Sequence, residues 1–233
     1  MPENSELLIK LENVDICQEQ NIILKNINWN VKVGEFNYII GKVGSGKSSL
    51  LKTLYAELPI KEGSIEVAGI KLNKIKNRQI PKLRRKIGMI FQDLQLLNDR
   101  SVYDNLKFVL KATGWENKKD INIRIEQVLS NVGMLDKINN LPTRLSGGEQ
   151  QSVCIARSIL NNPPLIFADE PTGNLDPDSA EEIVKTLQKL RNEGKTIIMV
   201  THNYNLLKKF PAKNFMCENQ RFFEVKNEDI VIE

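Results

Sequence analysis

Two glycine-rich segments of the chain have the residue types needed to hold phosphate. The first reads GKVGSGKS, follows the apolar segment Phe36 to Ile40 and precedes a helical pattern. Its glycines let backbone N–H groups close around phosphate oxygens. Lys47 is expected to reach the β and γ phosphates of a nucleotide, and Ser48 to ligate Mg²⁺. The predicted nucleotide-binding residues of this phosphate loop are Gly41, Lys42, Val43, Gly44, Ser45, Gly46, Lys47, Ser48 and Ser49.

The second segment reads LSGGEQ and runs from Leu145 to Gln150. A Ser-Gly-Gly turn that opens a helix offers an anion a hydroxyl, free N–H groups and the positive end of the helix dipole. The chain therefore has two separate phosphate-binding helix N-termini. Such a pair is explained if one N-terminus binds each face of the same nucleotide. The predicted nucleotide contacts of this signature segment are Ser146, Gly147, Gly148 and Glu149.

An apolar strand pattern, Leu165 to Ala168, ends in two carboxylates, Asp169 and Glu170. A carboxylate at the tip of a strand beside a phosphate loop can hold Mg²⁺, directly or through water. Asp169 is predicted to take that role, and Glu170, one residue on, to polarise the attacking water. An isolated Asp-Glu pair would more often be a solvated turn, so this interpretation depends on the phosphate loop.

Two further polar residues follow strand-like segments. His202, the only histidine, comes after Ile197 to Thr201; a lone histidine is often structural, but this one is expected at the sheet edge where phosphates bind. Gln92 ends the segment Ile87 to Phe91, and its amide has groups for both Mg²⁺ and the attacking water. Catalytic roles are therefore predicted for Glu170, His202 and Gln92, and metal contacts for Ser48, Gln92 and Asp169.

Composition narrows the class of protein. The 233 residues suffice for one core with a lobe, and 41% hydrophobic and 27% charged residues are ordinary for a globular domain. No apolar run approaches the roughly 20 residues of a membrane helix, and the N-terminus lacks the pattern of a signal peptide. Three scattered cysteines indicate neither a disulfide framework nor a zinc site. The chain is therefore expected to be cytosolic.

The positive charge is concentrated between Lys71 and Lys86. Eight basic residues and no acidic one lie in this stretch. A solvated surface loop and helix explains them most simply, and attraction to an anionic lipid leaflet or to nucleic acid is the alternative. No aromatic residue interleaves the run, which weakens the case for stacking on single strands, and nucleic acid is not predicted as a partner.

The periodicity of apolar residues predicts an α/β fold. An antiparallel pair comes first, then strands alternate with helices in a parallel sheet around the phosphate loop, and a short helix and two strands end the chain. A helical stretch interrupts the alternation. The predicted strands are 7–16, 22–33, 36–40, 64–67, 87–91, 165–168 and 196–200, and the predicted helices are 102–112, 121–132, 147–160 and 179–191.

The order of these motifs resembles that of the ATP-binding cassette (ABC) proteins from end to end. Asn174-Leu175-Asp176 matches the segment that crosses to the other subunit in that family, which adds Asp176 to the predicted nucleotide contacts. The resemblance implies ATP and Mg²⁺ as cofactors, a histidine at position 202 against the γ phosphate, and an ATP-driven homodimer. It implies one ABC ATPase domain over 1–233, with a RecA-like P-loop core of about 1–92 and 162–233, an N-terminal antiparallel β subdomain, and a helical signature subdomain of about 93–161.

Two stretches, 72–93 and 99–105, resemble the cell-division group within this family. That similarity implies a peripheral protein on the cytoplasmic face of the bacterial inner membrane, with an integral membrane partner of the FtsX type and a role in regulating peptidoglycan hydrolases. The ATPase of a lipoprotein-releasing or drug-exporting transporter is the alternative. The partner is expected to dock in the cleft between core and helical lobe, bordered by residues 92–105.

Two positions depart from the family pattern. The segment after the first strand, Ile16 to Gln20, has no aromatic residue to stack on adenine, which bears on base selectivity. Ser152 stands where relatives commonly carry an arginine, whereas Arg157 is retained.

Overall fold

The computed structural model describes residues 6–19 and 21–229. Within them the chain forms two β-sheets and a set of helices that pack on the larger sheet. The strands are β1 (Leu7–Gln18), β2 (Asn21–Lys32), β3 (Phe36–Ile40), β4 (Ser64–Val67), β5 (Ile70–Lys71), β6 (Ile87–Ile90), β7 (Leu165–Asp169), β8 (Thr196–Val200), β9 (Lys213–Glu218) and β10 (Arg221–Val225). The α-helices are α1 (Lys47–Leu54), α2 (Ile80–Arg85), α3 (Val102–Ala112), α4 (Lys118–Asn131), α5 (Gly147–Ser158), α6 (Pro177–Asn192) and α7 (Tyr204–Lys209). Short 3₁₀ turns cover Asn77–Gln79, Leu135–Lys137, Pro142–Arg144 and Asn227–Asp229.

The smaller sheet has four antiparallel strands in the order β2-β1-β4-β5. Its apolar residues face α1, where Leu50, Leu51 and Leu54 are buried. The predicted antiparallel pair at the start of the chain is therefore present, and it covers one side of the phosphate-loop helix.

The larger sheet has the order β10-β9-β3-β8-β7-β6 and is parallel except for β10. Both of its faces are buried, as expected for parallel strands covered on two sides. Along β7, Ile166 and Ala168 face the helices of one layer, whereas Leu165 and Phe167 face α1 and the small sheet. The sheet therefore lies between two apolar cores.

One edge of this sheet collects the predicted site residues. Strands β3, β8, β7 and β6 are neighbours and run parallel, so their carboxyl ends lie together. The phosphate loop follows β3, His202 follows β8, Asp169 ends β7, and Gln92 follows β6. The topology thus brings four separate motifs to one place, which is what the sequence predicts.

Helices α3, α4 and α5 pack together through a shared apolar core that also includes α6. Side chains cap their N-termini: Ser101 accepts from the backbone N–H of Asp104, and Asn117 from that of Lys119. The division into a core and a helical subdomain of about 93–161 remains a prediction. Within the described ranges, no helix has both the length and the apolar character needed to span a bilayer.

Candidate functional site

The phosphate loop has a shape that only glycine allows at two of its positions. Gly41 has φ +142°, and a Cβ there would collide with the carbonyl oxygen of Cys217. Gly46 has φ +101° and precedes α1, and a Cβ there would lie 2.6 Å from Cγ2 of Ile23. The backbone of the loop therefore lies close to β9 at Gly41 and to β2 at Gly46, and it leads directly into α1.

Lys47 lies inside this loop and is only 6% exposed. Its ammonium group donates hydrogen bonds to the carbonyl oxygens of Gly41, at 2.8 Å, and Lys42, at 2.9 Å. An ammonium group has three donors, so one remains for an anion. This arrangement places a buried cation at the centre of the loop, as the motif predicts.

Ser48 and Asp169 meet across the gap between α1 and β7. The Ser48 hydroxyl donates to Oδ1 of Asp169 over 3.1 Å. Burial raises the pKa of Asp169, and the hydrogen bond from Ser48 partly offsets this. A hydroxyl and a carboxylate at this separation form an all-oxygen pair of the kind that Mg²⁺ prefers, so these residues fit the predicted metal.

Asp169→Asn is expected to stabilise the nucleotide-free protein while lowering ATP turnover at least about tenfold. The raised pKa means that the ionised carboxylate costs free energy in the folded state at neutral pH. Asparagine removes that cost and keeps an oxygen for Ser48. The difference in Tm between variant and wild type should shrink as pH falls through the raised pKa toward about 3.9, the ordinary aspartate value. Calorimetry over this pH range measures it, and a variant less stable than wild type at neutral pH would contradict the argument.

Glu170 and His202 are paired directly. Nδ1 of His202 lies 2.7 Å from Oε2 of Glu170, whose side chain is 11% exposed. The backbone of Glu170 is in the left-handed region, with φ +50°, and its N–H donates to the carbonyl of Val200. Non-glycine residues in this region cluster at functional sites because the surrounding structure must hold them there. The contact between the two residues is not among the sequence predictions, which assign them separate tasks.

A cavity of about 350 Å³ opens beside this pair. Its wall includes Glu170, Thr201, His202 and Leu175, so it joins the ends of β7 and β8 to the segment before α6. The hydroxyl of Thr201 accepts from the backbone N–H of Asn203 and fixes the turn that carries His202. The carboxylate and the imidazole therefore line a space open to a ligand.

Gln92 is exposed and follows β6 after one residue. Its side-chain amide forms no hydrogen bond with any residue in the described ranges, so the structure places it at the correct sheet edge without joining it to Ser48 or Asp169. Its predicted contacts with metal and water remain predictions.

The signature segment forms the predicted helix start. Ser146 caps α5: its hydroxyl accepts from the N–H of Glu149, and the Glu149 carboxylate accepts from the N–H of Ser146 at 2.8 Å. That backbone hydrogen bond lowers the pKa of Glu149, which therefore stays ionised. None of these residues lines the cavity next to the phosphate loop of the same chain.

The two signature glycines pack against the start of α6. A Cβ on Gly147 would lie 3.3 Å from Cδ2 of Leu175, and one on Gly148 would lie 3.1 Å from Oγ of Ser179. Asp176 caps α6 by accepting from the backbone N–H of Ser179. Hydrogen bonding by the Ser179 side chain, and then by this N–H, lowers the pKa of Asp176. Asp176 thus has a structural role in its own chain. The packing of the two glycines against Leu175 and Ser179 is not among the sequence predictions.

Comparison with known proteins identifies the family. Residues 24–173 match the model of the ABC transporter family. The chain belongs to the ABC transporter family. It is 44% identical over 198 residues to the cell division ATP-binding protein FtsE of Streptococcus pneumoniae, covering 85% of this chain and 86% of that protein. It is also 44% identical to the FtsE of Escherichia coli over 184 residues, covering 79% and 82%.

Solved structures of ABC cassettes share the fold. A dimeric post-hydrolysis structure of the ATP-binding cassette MJ0796 with ADP and Pi has a TM-score of 0.82 at 34% identity, and the match covers 94% of this chain and 98% of that one. The cbiO1 cassette of Clostridium perfringens gives 0.86 at 30% identity, covering 94% and 87%. The predicted family and fold are confirmed, and the chain is an ATP-binding ABC ATPase.

The structure describes the two positions predicted to depart from the family pattern. Gln18, from the segment Ile16 to Gln20, and Ile23, which the sequence did not point to, line a cavity of about 140 Å³ beside the phosphate loop, and none of the lining residues of this cavity is aromatic. Ser152 donates to the carbonyl of Gly148 one turn back in α5. Arg157 ties α5 to the segment after Gln92 through the carbonyls of Leu94 and Gln95.

Proposed function

We propose that this chain is the ATP-hydrolysing subunit of a bacterial cell-division complex, where it dimerises on ATP and drives an FtsX-like integral membrane partner that regulates peptidoglycan hydrolysis. The observation that carries the proposal is its 44% identity to FtsE proteins over most of both chains. The integral membrane partner would recruit the chain to the cytoplasmic face of the inner membrane.

Hydrolysis is assigned to the residues gathered at the sheet edge. The phosphate loop and Lys47 would hold the nucleotide phosphates. Ser48, Asp169 and Gln92 would hold Mg²⁺, which neutralises phosphate charge and organises the oxygens. Glu170 would take the proton of the attacking water through Oε1, since Oε2 faces His202. His202 would orient Glu170 and contact the γ phosphate with its other ring nitrogen.

Dimerisation would complete each site. The signature segment of a chain does not line the cavity next to its own phosphate loop. An exposed capped helix start with two glycines is therefore suited to the phosphates held by a second copy. Gly147 packs near Leu175, and Gly148 near Ser179. In the dimer this packing would connect a chain's signature segment, which completes the partner's ATP site, with the same chain's segment 174–176, which would cross to the other subunit.

The partner would dock in the cleft between the sheet core and the helical lobe. A cavity of about 230 Å³ lies there, between α2 and β6 on one side and α3 and α5 on the other. Met89, Phe91 and Val109 make it partly apolar, and Arg85 adds a cation that forms no ion pair with a described residue. Phe91 immediately precedes Gln92, so a helix seated in the cleft would act on a predicted catalytic residue.

Replacing Arg85 by Glu together with Val109 by Gln is expected to lower co-purification with a coexpressed FtsX-like membrane protein by about tenfold or more. The first change reverses an exposed charge and the second makes the cleft wall polar, and neither touches the phosphate loop. ATP binding should be unchanged.

The matched control is Lys119→Glu with Ile123→Gln, the same pair of changes on α4, where Ile123 is 44% exposed. This control should co-purify like wild type. If the Arg85→Glu/Val109→Gln variant still co-purifies with the FtsX-like membrane protein as well as wild type does, the cleft is not the docking site. If wild type is captured instead by the membrane subunit of a lipoprotein-releasing or exporting system, the division role fails while the ATPase assignment stands.

A further inference from the structure

The basic stretch between Lys71 and Lys86 forms a shaped surface. Lys76, Arg78, Gln79 and Lys82 line a concavity of about 520 Å³. All four are exposed, and none of the three cations forms an ion pair with a residue in the described ranges. Gln79 Oε1 accepts from the backbone N–H of Lys76, which leaves the amide NH₂ free to donate. The charged groups on the wall of the concavity are therefore all cations, and the amide of Gln79 adds a further donor.

A second cavity, with both polar and apolar side chains on its wall, adjoins this basic concavity. It has a volume of about 300 Å³, and Leu58, Pro59, Ile60, Ile75 and Ile80 form most of its apolar wall. The single carboxylate on its lining belongs to Glu57, which pairs with Lys52 at 3.4 Å. Asn77 and Ile80 also line it, so the two depressions are separated only by the turn and helix start at residues 77–80.

Cations beside a depression that exposes several apolar side chains suit a molecule with both an anionic and an apolar part. We propose that this surface, the basic concavity with the adjoining cavity, binds anionic phospholipids at the membrane surface. The phosphate of a headgroup would lie among Lys76, Arg78 and Lys82, and the glycerol and upper acyl portion would lie over Ile60 and Ile75. The inference goes beyond the ATPase role and does not depend on which membrane protein is the partner.

The distribution of charge favours a lipid surface over one acidic protein segment. The eight cations of residues 71–86 are all exposed and spread over a strand, two turns and a short helix. Such a spread suits a diffuse anionic surface, which attracts basic stretches within about one Debye length, ~8 Å at physiological salt. Helix α2 also carries Arg85 into the proposed docking cleft, so this helix contributes to both surfaces.

The test is co-sedimentation of the full chain with vesicles of phosphatidylcholine containing phosphatidylglycerol, and with pure phosphatidylcholine vesicles, at low and at physiological salt. Wild type is expected to bind the anionic vesicles and not the neutral ones. The variant Lys76→Glu/Arg78→Glu/Lys82→Glu should lose binding by about tenfold or more, in line with the contribution of each cation near an anionic leaflet.

A matched triple, Lys25→Glu/Lys118→Glu/Lys119→Glu, changes the net charge equally at exposed lysines elsewhere and should retain most of the binding. Ile60→Gln should reduce the fraction of protein that stays bound to anionic vesicles at physiological salt. Salt screens the attraction of the cations to the headgroups but leaves the apolar contact of Ile60. Thermal unfolding confirms that each variant is folded.

Equal losses in both triples would overturn the proposal, since the effect would then be net charge alone. A second result would also overturn it: wild type binds no anionic vesicle, and the only defect of the Lys76→Glu/Arg78→Glu/Lys82→Glu variant is weaker binding to the membrane-protein partner. The surface would then bind an acidic protein segment instead of lipid. ATP binding is measured separately from vesicle binding. Failure to bind ATP would count against the proposed function only, and failure to bind anionic vesicles against the lipid proposal only.

Discussion

Glu170→Gln is expected to lower ATP turnover by at least about 100-fold while ATP binding persists. A positioned general base contributes about 10²–10⁴-fold, and an amide cannot accept the proton of the attacking water. The substitution preserves size and can still hydrogen-bond His202, whose Nδ1 lies 2.7 Å from the present carboxylate. Steady-state phosphate release measures turnover, and equilibrium binding of a fluorescent ATP analogue measures affinity.

The matched control for this variant is Glu182→Gln, an exposed glutamate on α6 that pairs with Lys185 at 2.6 Å. It removes the same charge away from the sheet edge and should leave turnover near that of wild type. If Glu170→Gln hydrolyses ATP as fast as this control, Glu170 is not the base, and its strained backbone at φ +50° has another purpose. Loss of ATP binding in Glu170→Gln would instead show that the pair with His202 shapes the nucleotide pocket.

Local patterns were enough to predict most elements of the fold. The helix predicted at 102–112 has those bounds in the structure, because its apolar positions recur at helical spacing and Ser101 caps it. The parallel order of the site strands also follows from strand–helix alternation. Two of the errors are at helix starts. Helix α4 begins at Lys118, three residues before the predicted start, since Asn117 caps it. Helix α6 begins at Pro177 after the Asp176 cap, and both caps were visible in the sequence.

The contacts between distant segments could not be predicted in the same way. Nothing in the sequence near position 170 specifies that its carboxylate meets the imidazole of His202, because this depends on how β7 and β8 end side by side. The packing of Gly148 against Ser179 likewise depends on the crossing of α5 and α6. The motifs supply the residue types, whereas their pairing is a property of the assembled sheet edge and lobe.

Two inactive variants are expected to restore activity when mixed, if each ATP site is built from two chains. Lys47→Ala removes a buried cation from the phosphate loop and should abolish ATP turnover. Gly147→Asp places a carboxylate where the signature segment would meet phosphate, and should abolish turnover by repulsion. Gly147 is preferred to Gly148 because a side chain there meets only the flexible end of Leu175, at 3.3 Å, instead of Ser179.

In a mixed dimer, one site combines both defects and the other combines an intact Lys47 with an intact signature segment. Each variant alone should be nearly inactive, and an equimolar mixture should recover a measurable part of wild-type phosphate release, with a rate that rises with protein concentration as dimers form. Mixing Lys47→Ala with Glu170→Gln is the control. Both of these changes affect the residues at one chain's own sheet edge, so no mixed dimer contains an intact site and activity should stay low. A mixture of Lys47→Ala and Gly147→Asp that remains as inactive as this control would show that phosphate loop and signature segment do not combine across two chains.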